Sequence, residues 1–326
     1  MTSYDPKQYV QGVLDQDRRL LAKTITLVES SRSDHQEVAR EIIEGLLPHA
    51  GKATRLGVSG VPGSGKSTFI ESLGTNLIES GHRVAVLAVD PTSKRSGGSV
   101  MADKTRMERL SGRQQAFIRP SPAGSTLGGV ARKTRETMIV CEAAGFDVMI
   151  VETVGVGQSE TAVASMTDFF LVLMLAGAGD EIQGIKKGIL ELVDAVVINK
   201  ADGDNIQKAE KARREYETAL HFLWPASPTW IPPVLTCSAL TMAGIEDVWQ
   251  TVMDHRRRMS KTGELERKRK HQALDWMWTL VEDGVRQHLY ENKQVKAALE
   301  RITRDVEHGR VSPSAAAGEL LGYLRS

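Results

Sequence analysis

Cysteine is nearly absent from this chain of 326 residues: Cys141 and Cys237 are the only two. Two isolated thiols exclude a disulfide scaffold and point to a reducing compartment. They also lack the paired spacing of a zinc site. Charge of one sign is missing as well. The 42 basic and 41 acidic residues leave a net charge of +1, so no field demands nucleic acid or a membrane surface. Long apolar runs are absent. The longest, near Phe169 to Ala176, is far too short to span a bilayer. The opening stretch MTSYDPKQYV has neither a signal h-region nor Arg-rich transit character, and no tandem repeat is visible. The length fits one α/β core of roughly 200 residues with helical additions.

What is present is organised around Arg55 to Thr68, RLGVSGVPGSGKST. Leu56 and Val58 predict a buried strand, and Gly60 to Ser67 matches G-x-x-x-x-G-K-S. That pattern between a strand and a helix is a P-loop. Gly60, Pro62, Gly63, Ser64 and Gly65 form the loop, whose amides make a nest for phosphate oxygens. Lys66 is placed to reach the β- and γ-phosphates, Ser67 to put its hydroxyl on Mg2+, and Thr68 to open the helix.

Along the chain, residues 4–50 predict helices only. Val10, Val13, Leu14, Leu20, Leu21, Ile25, Leu27 and Val28 fall at helical spacing, and Ser33 is the expected cap of a helix ending near Pro48. Strands are expected at 83–89, 116–119, 146–151, 168–175, 195–198 and 234–236, separated by helices. Arg132, Lys133, Arg135 and Glu136 are expected on the wet side of one of these helices. Alternating strands and helices predict a three-layer P-loop nucleotide-binding fold with a mainly parallel sheet. From Met259 onward no strand is expected, only helices with apolar positions at Leu274, Met277, Trp278, Val281, Val285 and Leu289. The expected division is a helical extension over 1–50, a nucleotide domain over 51–258 and a helical arm over 259–326. Two uses fit the arm: packing on its own domain, or completing a homodimer. Its apolar surplus favours the dimer.

Three carboxylates are candidates for Mg2+ and its waters. Asp90 follows a strand, Asp103 lies in the long connection after it, and Glu152 ends the strand FDVMIV. Glu152 to Gly155 has D-x-x-G spacing with Glu for Asp. The amide of Gly155 is placed to sense the γ-phosphate, which puts Lys66, Asp90, Glu152 and Gly155 in the catalytic set. Val156 stands where a water-positioning Gln would suggest fast hydrolysis, so slow intrinsic turnover is expected. Asn199-Lys200-Ala201-Asp202 is N-K-x-D at a strand end. Asp202 can accept from guanine N1-H and the exocyclic amino group, a donor pair that adenine lacks. Asn199 can bond N7 or neighbouring loops, and Lys200 can lie across the base. Ser238, Ala239 and Leu240 supply the supporting loop. The reading is a GTPase that converts GTP to GDP.

The motifs GVPGSGKST, VLAVDPTS, Ala102-Asp103-Lys104, VETVGVGQSE and NKAD together resemble the MeaB/ArgK GTPase family of the SIMIBI class, over nearly the whole chain. That resemblance implies a homodimeric bacterial cytoplasmic protein. It acts on adenosylcobalamin-dependent methylmalonyl-CoA mutase as a metallochaperone, gating cofactor delivery and protecting or rescuing the enzyme. Asp90, Asp103 and Glu152 match the family's magnesium and switch carboxylates. The loop Gly177 to Lys187 matches an additional switch segment, with Asp180, Glu181, Lys186 and Lys187 as its charged residues. No D-x-H-x-x-G cobalamin motif is present, so adenosylcobalamin is expected only through the partner. Alternatives are a GTPase chaperone for another metalloenzyme, which would want His or Cys clusters, and a kinase linked to basic amino-acid transport, which would want a kinase catalytic loop.

Overall fold

The computed structural model describes residues 4–89, 107–121, 127–153, 159–177, 187–221 and 227–323. Seven strands form one sheet: β1 (Thr54–Gly60), β2 (Val84–Val89), β3 (Ala116–Arg119), β4 (Val148–Thr153), β5 (Phe169–Leu175), β6 (Ala195–Asn199) and β7 (Val234–Thr236). Their order is β3-β2-β4-β1-β5-β6-β7, and every neighbouring pair is parallel. A parallel sheet needs cover on both faces, and its strands read as near-continuous apolar runs. β2, β4 and β6 are accordingly buried along their whole lengths. Leu56, Val58, Val148, Ile150 and Leu171 face one apolar layer, and Val151, Phe170, Val172 and Val196 face the other. The expected three-layer fold is present.

Helices α1 (Pro6–Leu14), α2 (Arg18–Val28) and α3 (Ser33–Leu46) precede the sheet. Asp5 and Asp17 cap the first two, each accepting from amides of the first turn. Ser33 does not cap α3. Arg32 occupies the cap position without a side-chain cap bond, and its guanidinium is engaged instead by Asp34 at 3.0 Å. The apolar faces of these helices share a core with Ala85, Val140, Cys141, Phe146 and Met149. The segment is therefore built into the nucleotide-binding unit. Arg18 also donates to the carbonyls of Gln114 and Ala116, blunting the edge beside β3.

Around the sheet lie α4 (Lys66–Glu79), α5 (Glu108–Ser111), α6 (Leu127–Ala143), α7 (Ser159–Ala164), α8 (Lys187–Leu190), α9 (Ile206–His221) and α10 (Ile245–Lys261). On α6 the charged residues are less wet than expected. Arg132, Lys133, Arg135 and Glu136 are half-buried, and burial pushes the Glu136 carboxyl above its ordinary range, against the pull of Arg132. The long helix α11 (Glu264–Glu291) follows, then α12 (Lys293–Glu307) and α13 (Pro313–Gly322). The chain divides into two compact units, Met1–Arg269 and Lys270–Ser326. The expected boundary after Arg258 falls inside the continuous α10. The first turns of α11 are tied to the sheet through Lys268 and Arg269, which donate to Asp168 O and to the Asp168 carboxylate at 2.7 and 2.8 Å. The second unit has a small core of Ala298, Ile302 and Ala316.

Candidate nucleotide site

The P-loop leaves the carboxyl end of β1 and enters α4, so the loop amides and the positive end of α4 converge. Two glycines are required by close approach. A Cβ on Gly60 would sit 2.3 Å from the carbonyl oxygen of Leu173. Gly65 caps α4 at φ 86°, and a Cβ there would meet Asn199 Nδ2 at 2.8 Å. Pro62 and Gly63 are exposed between them, and Thr68 is exposed on the first turn of the helix. Ser64 donates its amide to the Val61 carbonyl, and its buried hydroxyl has no hydrogen-bond partner among the described residues.

Lys66 Nζ donates to the carbonyl of Gly60 at 2.8 Å and to that of Val61 at 3.4 Å. Burial pulls its pKa below the ordinary lysine value, opposed by the carboxylates of Glu152 and Glu160. Ser67 is half-buried beside it. Glu152 is buried, paired in register with Val58 of β1 and Ala88 of β2. No group of three or more His, Cys, Asp or Glu able to hold a metal occurs among the described residues. Mg2+ at nucleotide sites needs only one or two protein oxygens plus phosphates and waters. One hydroxyl at Ser67 and the buried carboxylate of Glu152, whose charge acts on the neighbouring Lys66, fit that requirement. Asp90, Asp103, Gly155, Asp180, Glu181 and Lys186 lie outside the described residues, and Lys187 opens α8.

The second half of the site is built by β6 and β7. The side chain of Asn199 ties neighbouring loops together, one of its two expected uses. Nδ2 donates to the Ser64 carbonyl at 2.7 Å, and Oδ1 accepts from the Ala239 amide at 3.1 Å. Cys237 Sγ lies 3.5 Å from the same oxygen, and burial pushes that thiol up to about 12. Lys200 is exposed in the left-handed region at φ 60°, and Asn205 Nδ2 donates to its carbonyl at 2.7 Å. Ser238 is buried. Its hydroxyl donates to Asp202 Oδ2 and accepts from the Thr241 amide at 3.1 Å, fixing the carboxylate's orientation. Leu240 is 79 % exposed at the tip of the same loop.

Thus the structure brings Gly60, Ser64, Gly65, Lys66, Asn199, Ala239 and Glu152 into one linked edge, with Asp202 and Ser238 on its flank. The sequence reading missed Asn205, Glu160 and the buried pair of Ser59 and Thr153, whose hydroxyls lie 2.9 Å apart at the ends of β1 and β4. Their signal was available only in part. Ser59 and Thr153 are polar residues at strand ends, and Glu160 closes a motif already singled out.

The family model described as methylmalonyl Co-A mutase-associated GTPase MeaB matches residues 21–294. A Caulobacter vibrioides protein described as a GTPase is 56 % identical over 305 residues, covering 94 % of this chain and 93 % of that protein. GTPase ArgK of Escherichia coli is 44 % identical, covering 95 % and 94 %. The mouse methylmalonic aciduria type A homolog, mitochondrial, is also 44 % identical, covering 97 % of this chain and 78 % of that protein. A solved structure named LAO/AO transport system kinase superposes with a TM-score of 0.78 at 39 % identity, covering 98 % of both chains. With the P-loop, the buried strand-end carboxylate and the N-K-x-D edge in place, the chain belongs to the MeaB/ArgK family of SIMIBI P-loop GTPases.

Proposed function

We propose that this GTPase acts as a nucleotide-gated chaperone for adenosylcobalamin-dependent methylmalonyl-CoA mutase, gating cofactor delivery and protecting or reactivating the enzyme. The observation that carries the partner is the matched family's description as mutase-associated, supported by the name of the mouse relative. The observation that carries the nucleotide is the Asp202 carboxylate, held by Ser238 beside a P-loop tied to it through Asn199. In this reading Lys66 leaves the Gly60 carbonyl for the phosphates, and Ser67 and Glu152 hold Mg2+ directly or through water, with Asp90 and Asp103 as further carboxylates. Mg2+ held by these residues would supply positive charge against the charge that develops on the phosphates. Asp202 selects guanine, and Lys200 and the loop Ser238 to Leu240 cover the base. Gly155 senses the γ-phosphate. Asp180, Glu181, Lys186 and Lys187 carry the nucleotide state to the partner, because coupling requires that the two states bind the partner differently. Residues 259–326 form the homodimer arm. Adenosylcobalamin is met only on the mutase.

The test is a titration of purified mutase into this protein with GDP or a non-hydrolysable GTP analogue, following association and GTPase rate. State-dependent association with a changed rate is expected. No association in either state, with no rate change, removes the mutase. The similarity to LAO/AO transport system kinase favours a second reading, a transport-system kinase. Transfer of labelled γ-phosphate to a protein acceptor instead of water would select it.

A further inference from the structure

We propose that His255 and Lys268 form an acid-sensitive latch at the amino ends of β5 and β6, in which protonation of His255 displaces Lys268 from Asp194 and loosens the first turns of α11.

His255 lies in α10 and is 1 % exposed. Phe169 and Trp230 enclose its ring edge-on, each with its ring centre 5.0 Å away. Neither ring nitrogen has a hydrogen-bond partner among the described residues. Nε2 lies 3.7 Å from Asp194 Oδ1, too far for a hydrogen bond and near enough for an ion pair once the ring is charged. Asp194 is itself held in place. Its carbonyl accepts from Trp230 Nε1 at 2.8 Å, and Oδ2 accepts from the Phe170 amide at 2.9 Å. Lys268 Nζ reaches the same Oδ2 at 3.5 Å and donates to the Asp168 carbonyl at 2.7 Å. One carboxylate therefore stands between a permanent cation on α11 and a ring that becomes a cation in acid.

The charged groups around the ring come from every element that packs on it. Burial works most strongly against the charged ring. Asp194 before β6, Asp168 before β5 and Glu264 on α11 favour it, and Lys268 on α11 opposes it. The balance holds the ring below the ordinary histidine value of 6.5. On α10 itself, Arg258 lies over the Trp230 ring at 5.7 Å, and Arg269 is forked onto Asp168. The neutral ring is the form the fold prefers. Its stabilisation is complete above 6.5 and is lost as pH falls from there through the lower folded value. When the proton arrives, two cations meet at one carboxylate and repel. The Lys268 side chain is 30 % exposed and swings into water, whereas the enclosed ring stays where it is. Lys268 yields, and α11 loses one tie to the sheet. The Arg269 fork remains, so the loosening is confined to the root of the helix.

Two measurements on the full chain test this. NMR of histidine labelled with 13C at Cε1 follows the ring, assigned by its disappearance in His255→Leu. Hydrogen exchange between about pH 7.5 and about pH 5.5, corrected for the intrinsic rate, follows the amides of 264–268. The ring titrates below 6.5 in the parent and at higher pH in Lys268→Met, where the repulsion is gone. Protection of 264–268 falls by up to about tenfold per pH unit below the ordinary histidine value, while the central strand β4 changes by less than about twofold. In H255L the protection of 264–268 no longer depends on pH, and in His271→Gln the dependence persists. If H255L does not fold by circular dichroism, His255→Gln is read in the same way. A ring that titrates at or above 6.5, or a titration unmoved in K268M, overturns the latch. So does pH-dependent protection that survives in H255L, vanishes in H271Q, or falls equally in β4.

Discussion

Arg269 forks onto Asp168, with Nε to Oδ1 at 2.8 Å and Nη2 to Oδ2 at 2.7 Å. Asp168 also accepts from the Arg55 amide at 2.9 Å, at the foot of β1. Burial pushes the Asp168 carboxyl up, but the Arg269 hydrogen bonds and charge, with Arg55, hold it below its ordinary value. Its stabilisation is therefore complete above the unfolded-state pKa and is lost as pH falls through the lower folded value. Arg269→Met leaves a buried carboxylate without its fork, at a cost of about 3–5 kcal/mol near neutral pH. Urea midpoints measured against pH check this: the gap between parent and variant is widest near neutrality and shrinks in acid, where protonation relieves the stranded charge. A gap that does not change with pH would reject the charge account. This pair spans 101 positions in the chain and belongs to no motif, so nothing local in the sequence announces it. The P-loop and N-K-x-D are different. Each motif is contiguous in the chain, which is why Lys66, Asn199 and Asp202 could be singled out from the sequence. Asn199 was expected to bond either N7 or neighbouring loops, but its particular partners were not legible, because Ser64 and Ala239 become its neighbours only in the fold.

Helix α11 separates two kinds of element. Its first turns belong to the nucleotide-binding unit, while beyond Lys270 it shows Leu274, Met277, Trp278, Val281 and Val285 to solvent at helical spacing, Trp278 being 60 % exposed. This is the apolar stripe proposed for the homodimer. In the full chain, Trp278→Asp with Val281→Asp shifts the mass by light scattering from dimer to monomer, and GTP affinity changes by less than about threefold because the site lies elsewhere. A dimer that survives both changes would place the interface on another surface. Periodicity made the helices of this arm visible, and it also made the three N-terminal helices visible. It could not reveal that the latter share a core with α6 and the sheet, since helical spacing reports that a face is apolar and not what covers it. Ser33 shows the same limit at a terminus: a capping residue in the right place lost to the Arg32–Asp34 pair.

At the scale of the molecule, β1 lies in the middle of a seven-stranded sheet and delivers the P-loop, while β4, β5 and β6 end along the same edge. Ligand bound there tightens the unit that contains it. Adding GDP with Mg2+ at about one hundred times the dissociation constant stabilises the chain by about 2.7 kcal/mol, and EDTA removes part of this. Differential scanning calorimetry checks it, with Asp202→Asn as the control in which GDP no longer shifts the transition and XDP does. An equal shift by ADP would contradict guanine selection. The mainly parallel, doubly covered sheet was legible because strands buried on both faces alternate with helical segments. The division after Arg269 was not, because it falls inside the continuous helix α11, and the contacts of Lys268 and Arg269 with Asp168 join residues about one hundred positions apart.

The shared core of the N-terminal helices has a consequence during synthesis. Val13, Ile25, Ile42 and Leu46 pack against Val140, Cys141 and Met149, residues made roughly one hundred positions later. At ribosomal speeds of about 5–20 residues per second, the first three helices leave the ribosome about 5–20 s before the surface that covers them exists. For that interval the nascent chain shows an apolar face to the cell, and the nucleotide-binding unit cannot close from its N-terminal end. Its assembly waits until β4 has been translated.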